Sequence, residues 1–409
     1  MYKESLAKNA GIETLGGLTE NPCPSCRSGR MSVFYEVRSV PVHSVLLMPT
    51  RQTAMNYPRG DVVLGFCSTC GFISNVAFDS AVHEYSANYE ETQGFSPTFN
   101  TFSQRLAKHL IERYDLHEKV IIELGCGKGE FLALLCELGS NYGIGFDPGY
   151  VPERNNSQAK DRMTFIKDFY STKYANYRGD FICCKMTLEH IKQTADFVRL
   201  VRRSLPDQSD TVVFFQVPDV SRILHDLAFW DIYYEHCSYF SSGSLARLFR
   251  NCGFEVIDLN RDYDDQYLMI EGRACNGKST PRPTLEDDLE EMACNVAFFC
   301  QNYREKLNDW MIRFQTIRND RRRAVLWGGS SKAVAFLTTL KIQEEVEYVV
   351  DINPYKHGTY MPGTGQLIVA PDFLVEYKPD AVIVMNPIYR EEIRHDLRQI
   401  GLDPELILV

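Results

Sequence analysis

Short apolar runs closed by a glycine or an acid, each followed by a helical repeat, recur through most of this chain. Within residues 81–280 they are VIIEL, NYGIGFD, MTFIKD, DFICCKM and TVVFFQVPDV; within residues 281–409 they are RAVLW, EVEYVVD and AVIVMN. Runs of this length alternating with helices predict parallel strands, with ligands bound at their carboxyl ends. The pattern therefore predicts two parallel sheets. A helical stretch of mixed charge, roughly 284–318, separates them, and the amphipathic SQRLAKHLIERY leads into the first. Residues 1–80 read differently, because MSVFYEV and DVVLGF alternate as strands of a small sheet do.

The segment VIIELGCGKGEFLALLCELG is a strand, a glycine turn and a helix. Gly125, Gly127 and Gly129 lack a Cβ, so the backbone turns sharply and lets a ligand lie against it at the positive end of the helix. Asp147, closing the next apolar run, is placed to accept both hydroxyl protons of a ribose. Dinucleotide dehydrogenases and methyltransferases share this spacing, and Glu123 separates them. An anion just before the turn repels a pyrophosphate but pairs with the cationic methionine end of S-adenosylmethionine. Methyl transfer is the reading, against a bland strand–turn–helix with no ligand. Asp168, after the third strand, is placed to meet the adenine amino group, and Lys185, Met186 and Thr187 to line the cofactor by backbone. Tyr85 and Tyr89 read either as a lid over the cofactor or as simple packing.

Most of the thirteen cysteines, such as Cys126, Cys136, Cys183, Cys184 and Cys252, lie within apolar runs, which fits a reduced compartment better than a disulfide framework. Four are different. Cys23 and Cys26 (CPSC) and Cys67 and Cys70 (CSTC) form two knuckles, and four thiolates can close a tetrahedron around zinc. Closed coordination leaves no open position, so such a metal stabilises rather than catalyses. His43 and His83 are spare ligands that read more simply as ordinary surface or core histidines. A net charge of −10 gives no field attracting nucleic acid or anionic lipid. No window approaches a membrane span and the start lacks a signal peptide's apolar stretch, so the expected location is cytoplasmic.

The densest cluster of reactive groups is FWDIYYEHCSYFS, after the fifth strand. There His236 is the candidate proton acceptor, the neighbouring carboxylate of Glu235 its support, and the phenols of Tyr233, Tyr234 and Tyr239 donors to an enolate oxygen. The alternative is an aromatic helix end around a buried, hydrogen-bonded histidine. His190, in TLEHI, is expected to face the same crevice. In the last third, WGGSSK offers Gly329 and Ser331 as backbone and hydroxyl donors at a helix start, and Lys332 adds charge, which suits a phosphate or a carboxylate. Asn386 and the loop YMPGTG (360–365) are expected at the same carboxyl edge, unless this sheet is a scaffold without a ligand.

With these motifs the chain resembles, over essentially its whole length, the three-domain sugar C-methyltransferases that act on nucleotide-linked keto-deoxysugars. The resemblance rests on the two cysteine knuckles, ELGCGKG, YYEHCSYFS, WGGSSK and VDINPYKHGTYMPGT. The family block Tyr-His-Glu-His-x-Ser-Tyr-Phe is matched at Tyr233, Glu235, His236, Ser238, Tyr239 and Phe240; Tyr234 stands where the family usually has histidine, which bears on the sugar and the carbon methylated. The resemblance implies an α/β fold of three parts: a zinc-binding domain (1–80), a class I S-adenosylmethionine methyltransferase Rossmann-like domain (81–280) and a second Rossmann-like domain for substrate (281–409). It implies His236 as base, with Glu235, Tyr233 and His190 in support, and a nucleotide-sugar as substrate for a monomer or homodimer. A methyltransferase acting on oxygen, nitrogen or RNA behind a zinc domain is the competing reading; the acidic charge and the second nucleotide-type sheet oppose RNA.

Overall fold

The computed structural model describes residues 17–82, 88–205, 210–275 and 282–409. Tyr85 and His83 lie outside the described residues. Three sheets account for the architecture. The first begins with β1 (Leu18–Pro22), β2 (Arg30–Pro41), β3 (Arg59–Phe66) and β4 (Ile73–Asn75), antiparallel in that order. Its two tight turns are the cysteine knuckles, closed by backbone bonds from Arg27 N to Cys23 O and from Gly71 N to Cys67 O, both 2.8 Å.

Helix α1 (Pro97–Tyr114) enters the central unit; Ser96 caps it by accepting from Phe99 N, and Pro97 suits the first helical position. The central sheet contains β5 (Val120–Leu124), β6 (Tyr142–Phe146), β7 (Met163–Ile166), β8 (Phe181–Lys185) and β9 (Val212–Pro218), all parallel. Between β5 and β6 runs α2 (Glu130–Gly139), and after β8 runs α3 (Thr194–Arg203). The chain then leaves this sheet. Strand β10 (Ser238–Tyr239) pairs with β4 of the first sheet, Ser238 with Ser74 and Tyr239 with Ile73. It returns through α4 (Ser242–Asn251) to the hairpin β11 (Phe254–Asp262) and β12 (Tyr267–Ala274), and only β12 runs against its neighbours. The final order is β11-β12-β9-β8-β5-β6-β7. The hairpin escaped the pattern reading because FEVIDLNRD interleaves acids and a base with its apolar positions.

Helix α5 (Leu289–Asn319) does more than separate two sheets. Its Phe299 lies edge-on to Tyr35 of β2 at 5.4 Å, and its Trp310 packs at 4.9 Å on Phe336 of α6 (Ser331–Leu340). One continuous core thus joins the first sheet, residues 229–239, α5 and the last sheet. That sheet is wholly parallel, in the order β15-β14-β13-β16-β17: β13 (Ala324–Trp327), β14 (Tyr348–Val350), β15 (Leu367–Val369), β16 (Ala381–Val384) and β17 (Glu405–Leu408). The loop 360–365 does not line the ligand edge as expected. It docks on the first unit, through a bridge between Tyr360 and Met48 and a bond from Gly363 N to Ala54 O, with Gly363 too close to Pro41 to carry a side chain. No described helix is long and apolar enough to cross a membrane.

Candidate active site

The carboxyl ends of the central and last sheets face each other across a cavity of about 890 Å³. From the central sheet it is lined by Glu123, Gly125, Gly127, Asp147, Met186 and Thr187. Gly125 and Gly127 have φ of 71° and 52°, and a Cβ on Gly125 would stand 2.2 Å from the Thr187 hydroxyl, so the turn needs glycine on two counts. Glu123 is buried and accepts from Leu132 N at 3.0 Å; burial raises its pKa to about 8, while burial lowers that of the nearby Lys185 ammonium to about 8. Asp147 accepts from Gly127 N at 2.9 Å and Gly149 N at 2.7 Å, which fixes its carboxylate at the mouth of the turn and leaves lone pairs for a ligand. Lys128, which the pattern reading passed over, is buried and donates to the carbonyls of Tyr89 and Gly149, closing the turn against two loops. Tyr89 lines the cavity.

Asp168 does not. Its carboxylate accepts from Tyr174 Oη at 2.6 Å and pairs with Lys173 on the exposed side, while the next residues, Phe169 and Tyr170, line the cavity instead.

His236, Tyr233 and His190 all reach the cavity. His236 Nε2 lies 2.8 Å from Tyr233 Oη, and its ring stands edge-on to His190, centroids 4.9 Å apart. His190 Nδ1 lies 3.1 Å from the Glu235 carbonyl, an acceptor, so that nitrogen carries the proton; burial lowers the ring's pKa to about 4 and keeps it neutral. Glu235 itself is a correction. Its carboxylate turns away from His236 and accepts from His43 Nδ1 and the Ser44 hydroxyl, whose oxygen in turn accepts from the Ser331 hydroxyl at 2.7 Å. His43 is accordingly a core residue. The carboxylate close to His236 belongs to Glu189, whose Oε1 is 4.0 Å from Nε2; it was visible in TLEHI beside His190 but unassigned.

Tyr239 and Tyr234 also miss the cavity. Tyr239 is drawn into the core by β10, with its hydroxyl reaching the Tyr233 carbonyl at 3.4 Å. Tyr234 packs on Phe78, accepts from Asp79 N at 2.9 Å and occupies the space a Cβ on Gly60 would need, so its departure from the block does not touch the ligand space. Across the cavity, Ser331, Lys332 and Asn386 line the wall. Gly329 does not, because its amide turns back to the Asp351 carboxylate at 2.9 Å. Lys332 is ion-paired with Asp231, which also takes Arg222 at 2.6 Å, and Asn386 exchanges two amide hydrogen bonds with Gln266.

Apart from the cavity, Cys23, Cys26, Cys67 and Cys70 bring their sulfurs within 4.8 Å of one another, with Cys23–Cys70 and Cys26–Cys67 both 3.7 Å apart. Four thiolates about 2.3 Å from one tetrahedral ion stand roughly 3.8 Å apart, so the cluster has the dimensions of a zinc site.

Residues 99–259 match the family described as a methyltransferase domain, and residues 289–403 the family described as a C-methyltransferase C-terminal domain. The C-methyltransferase NovU of Streptomyces niveus is 23% identical over 306 residues, covering 71% of this chain and 72% of NovU. Among solved structures, a 1,6-didemethyltoxoflavin-N1-methyltransferase of Burkholderia thailandensis bound to S-adenosylhomocysteine is 16% identical and covers 42% of this chain and 78% of its own, with a TM-score of 0.33. A protein of Pyrococcus horikoshii is 14% identical, covering 47% of this chain and 100% of its own at a TM-score of 0.36. With a methyltransferase domain around the glycine turn and a C-methyltransferase domain behind the opposite wall, this chain is an S-adenosylmethionine-dependent methyltransferase.

Proposed function

We propose that the enzyme methylates carbon next to the carbonyl of a nucleotide-linked keto-sugar. One observation carries the reading: a buried imidazole, His236, opens into the same cavity as the glycine turn on one side and the Ser331–Lys332 wall on the other. S-adenosylmethionine supplies an electrophilic methyl group when bound; Glu123, Gly125, Gly127 and Asp147 are the residues to hold it. A keto group acidifies the adjacent C–H enough for an imidazole to take the proton, whereas an isolated sugar C–H lies far beyond any side chain. His236 removes that proton, Tyr233 orients the ring, and the electron pair left on carbon attacks the methyl. Ser331, Lys332 and Asn386 are the residues to hold the nucleotide-sugar. The cysteine cluster is assigned to zinc in a stabilising role.

The test uses labelled S-adenosylmethionine and a panel of nucleotide sugars with and without a keto group. Label should enter keto-sugars alone, and His236→Asn should slow transfer by about 10²-fold or more while cofactor affinity stays within twofold. Transfer to RNA or to a sugar without a carbonyl, or wild-type turnover in the variant, overturns the reading.

A further inference from the structure

Glu189 is the feature that the mechanism above leaves unused. It is fully buried, lines the cavity, and neither carboxylate oxygen has a hydrogen-bond partner in the described structure. An unpartnered ionised carboxylate is costly in such a place; the neutral acid costs much less, and it carries a proton that a ligand's oxygen can accept. Its Oε1 stands 4.0 Å from His236 Nε2. An acidic C–H and the oxygen of the adjacent carbonyl are about 3 Å apart, so a base and a donor serving them must converge at this kind of spacing.

We propose that Glu189 acts as a neutral carboxylic acid that donates its proton's hydrogen bond to the carbonyl oxygen while His236 takes the proton from the adjacent carbon. The proposal rests on the keto-sugar reading above and deepens it. The C–H electron pair becomes the new C=C bond, the carbonyl π pair moves to oxygen and is held by the Glu189 hydroxyl, and the C–H proton rests on His236. On methylation the C=C pair forms the carbon–methyl bond, the S–CH₃ pair leaves on sulfur, the carbonyl re-forms, and His236 gives its proton to solvent.

Of the other candidates, His190 carries its proton on Nδ1, committed to the Glu235 carbonyl, so its other nitrogen only accepts. Gln216 and the Nε of Arg222, buried and also unpartnered in the same cavity, are rival donors among the described residues. Tyr233 holds His236 Nε2 at 2.8 Å in the resting site, and it is a further rival once the substrate C–H takes its place on that nitrogen. Burial raises the pKa of Glu189 to about 8, which keeps it protonated at neutral pH. The groups facing it are His236, His190, Tyr233, Cys184, Cys237 and Tyr267. Burial holds His190 near 4, Cys184 and Tyr233 well above their usual ranges, and Cys237 and Tyr267 near 12. Glu123 and Lys185, beyond Cys184, do titrate near 8, so a variant must decide the matter.

The experiment follows solvent-deuterium exchange into the keto-sugar without S-adenosylmethionine, from pH 6 to 9.5. Glu189→Leu should slow exchange by about 10²–10³-fold. Glu189→Gln keeps a neutral donor, so it should recover exchange to within about tenfold of wild type and lose the decline near pH 8. Cofactor affinity, measured by calorimetry, should be unchanged in both, which separates this role from a collapsed site. Wild-type exchange in Glu189→Leu, a comparable loss in Gln216→Leu instead, or stimulation of metal-free enzyme by added Mg²⁺ or Mn²⁺ at Glu189, His190 and His236 overturns the proposal. If the wild-type enzyme exchanges with no keto-sugar, the substrate reading fails instead.

Discussion

Burial of ionisable side chains at the cavity floor gives individual residues a measurable signature. Glu189 and Glu123 both have pKa values raised by burial to about 8, from an ordinary 4.5. Between those values the folded chain binds protons that the unfolded chain has released, so the contribution to stability is complete below pH 4.5 and is lost as pH rises through 8. Glu189→Gln removes one such group. Its melting temperature should match wild type near pH 5 and exceed it by several degrees at pH 9, read by circular dichroism across that range; a gap independent of pH would show that Glu189 does not titrate as described. At this scale the sequence was legible where a residue's backbone position decides its role. Gly125, Gly127 and Asp147 sit at a strand end whatever their side chains do. It was misleading where orientation decides: Glu235 and His236, neighbours just ahead of β10, take different partners, so the adjacent acid serves Ser44 and His43 while the acid beside His236 comes from Glu189.

Among the elements, β10 has the largest leverage for its two residues. It begins two residues after His236 and is held by β4, which itself follows the second cysteine knuckle. Cys23, Cys67 and Cys70 share a core with Phe240 and α4. A metal at the knuckles would therefore set the position of His236, the proposed base, without touching a reactant. Cys67→Ser, or extraction of zinc by a chelator, should release one ion per chain, lower the melting temperature and reduce methyl transfer at least tenfold. Readdition of zinc should restore the chelated protein but not the variant, as metal analysis and rate together will show. Parallel strands were legible as apolar runs between helices; β10 was not, since two residues carry no periodicity and their partner lies far away in sequence.

In the whole molecule, the cavity exists because two sheets are held with their carboxyl ends opposed. The ties include Lys332 with Asp231, Asn386 with Gln266, Tyr389 with Tyr263 at 2.7 Å, Asn353 with Glu90 at 2.9 Å and Ser96 with Glu392 at 2.7 Å, while Ser331 meets Ser44 of the first unit. Lys332→Met leaves Asp231 with Arg222 alone, and because the carboxylate stays paired the loss is that of one charged hydrogen bond, about 1.5–3 kcal/mol. The expected result is a lower melting temperature and faster amide hydrogen exchange in 324–340, whereas unchanged exchange would mean that Lys332 is held for a ligand's charge rather than for docking. Because β10 crosses from the central unit into the first sheet, the three parts are not interchangeable modules. A recombinant that swaps the amino-terminal piece for a cousin's replaces the partner strand of the segment bearing His236, so inheritance of the three parts as one block is built into the bonds from Asn75 N and Ser74 Oγ to the Cys237 carbonyl, both 3.0 Å.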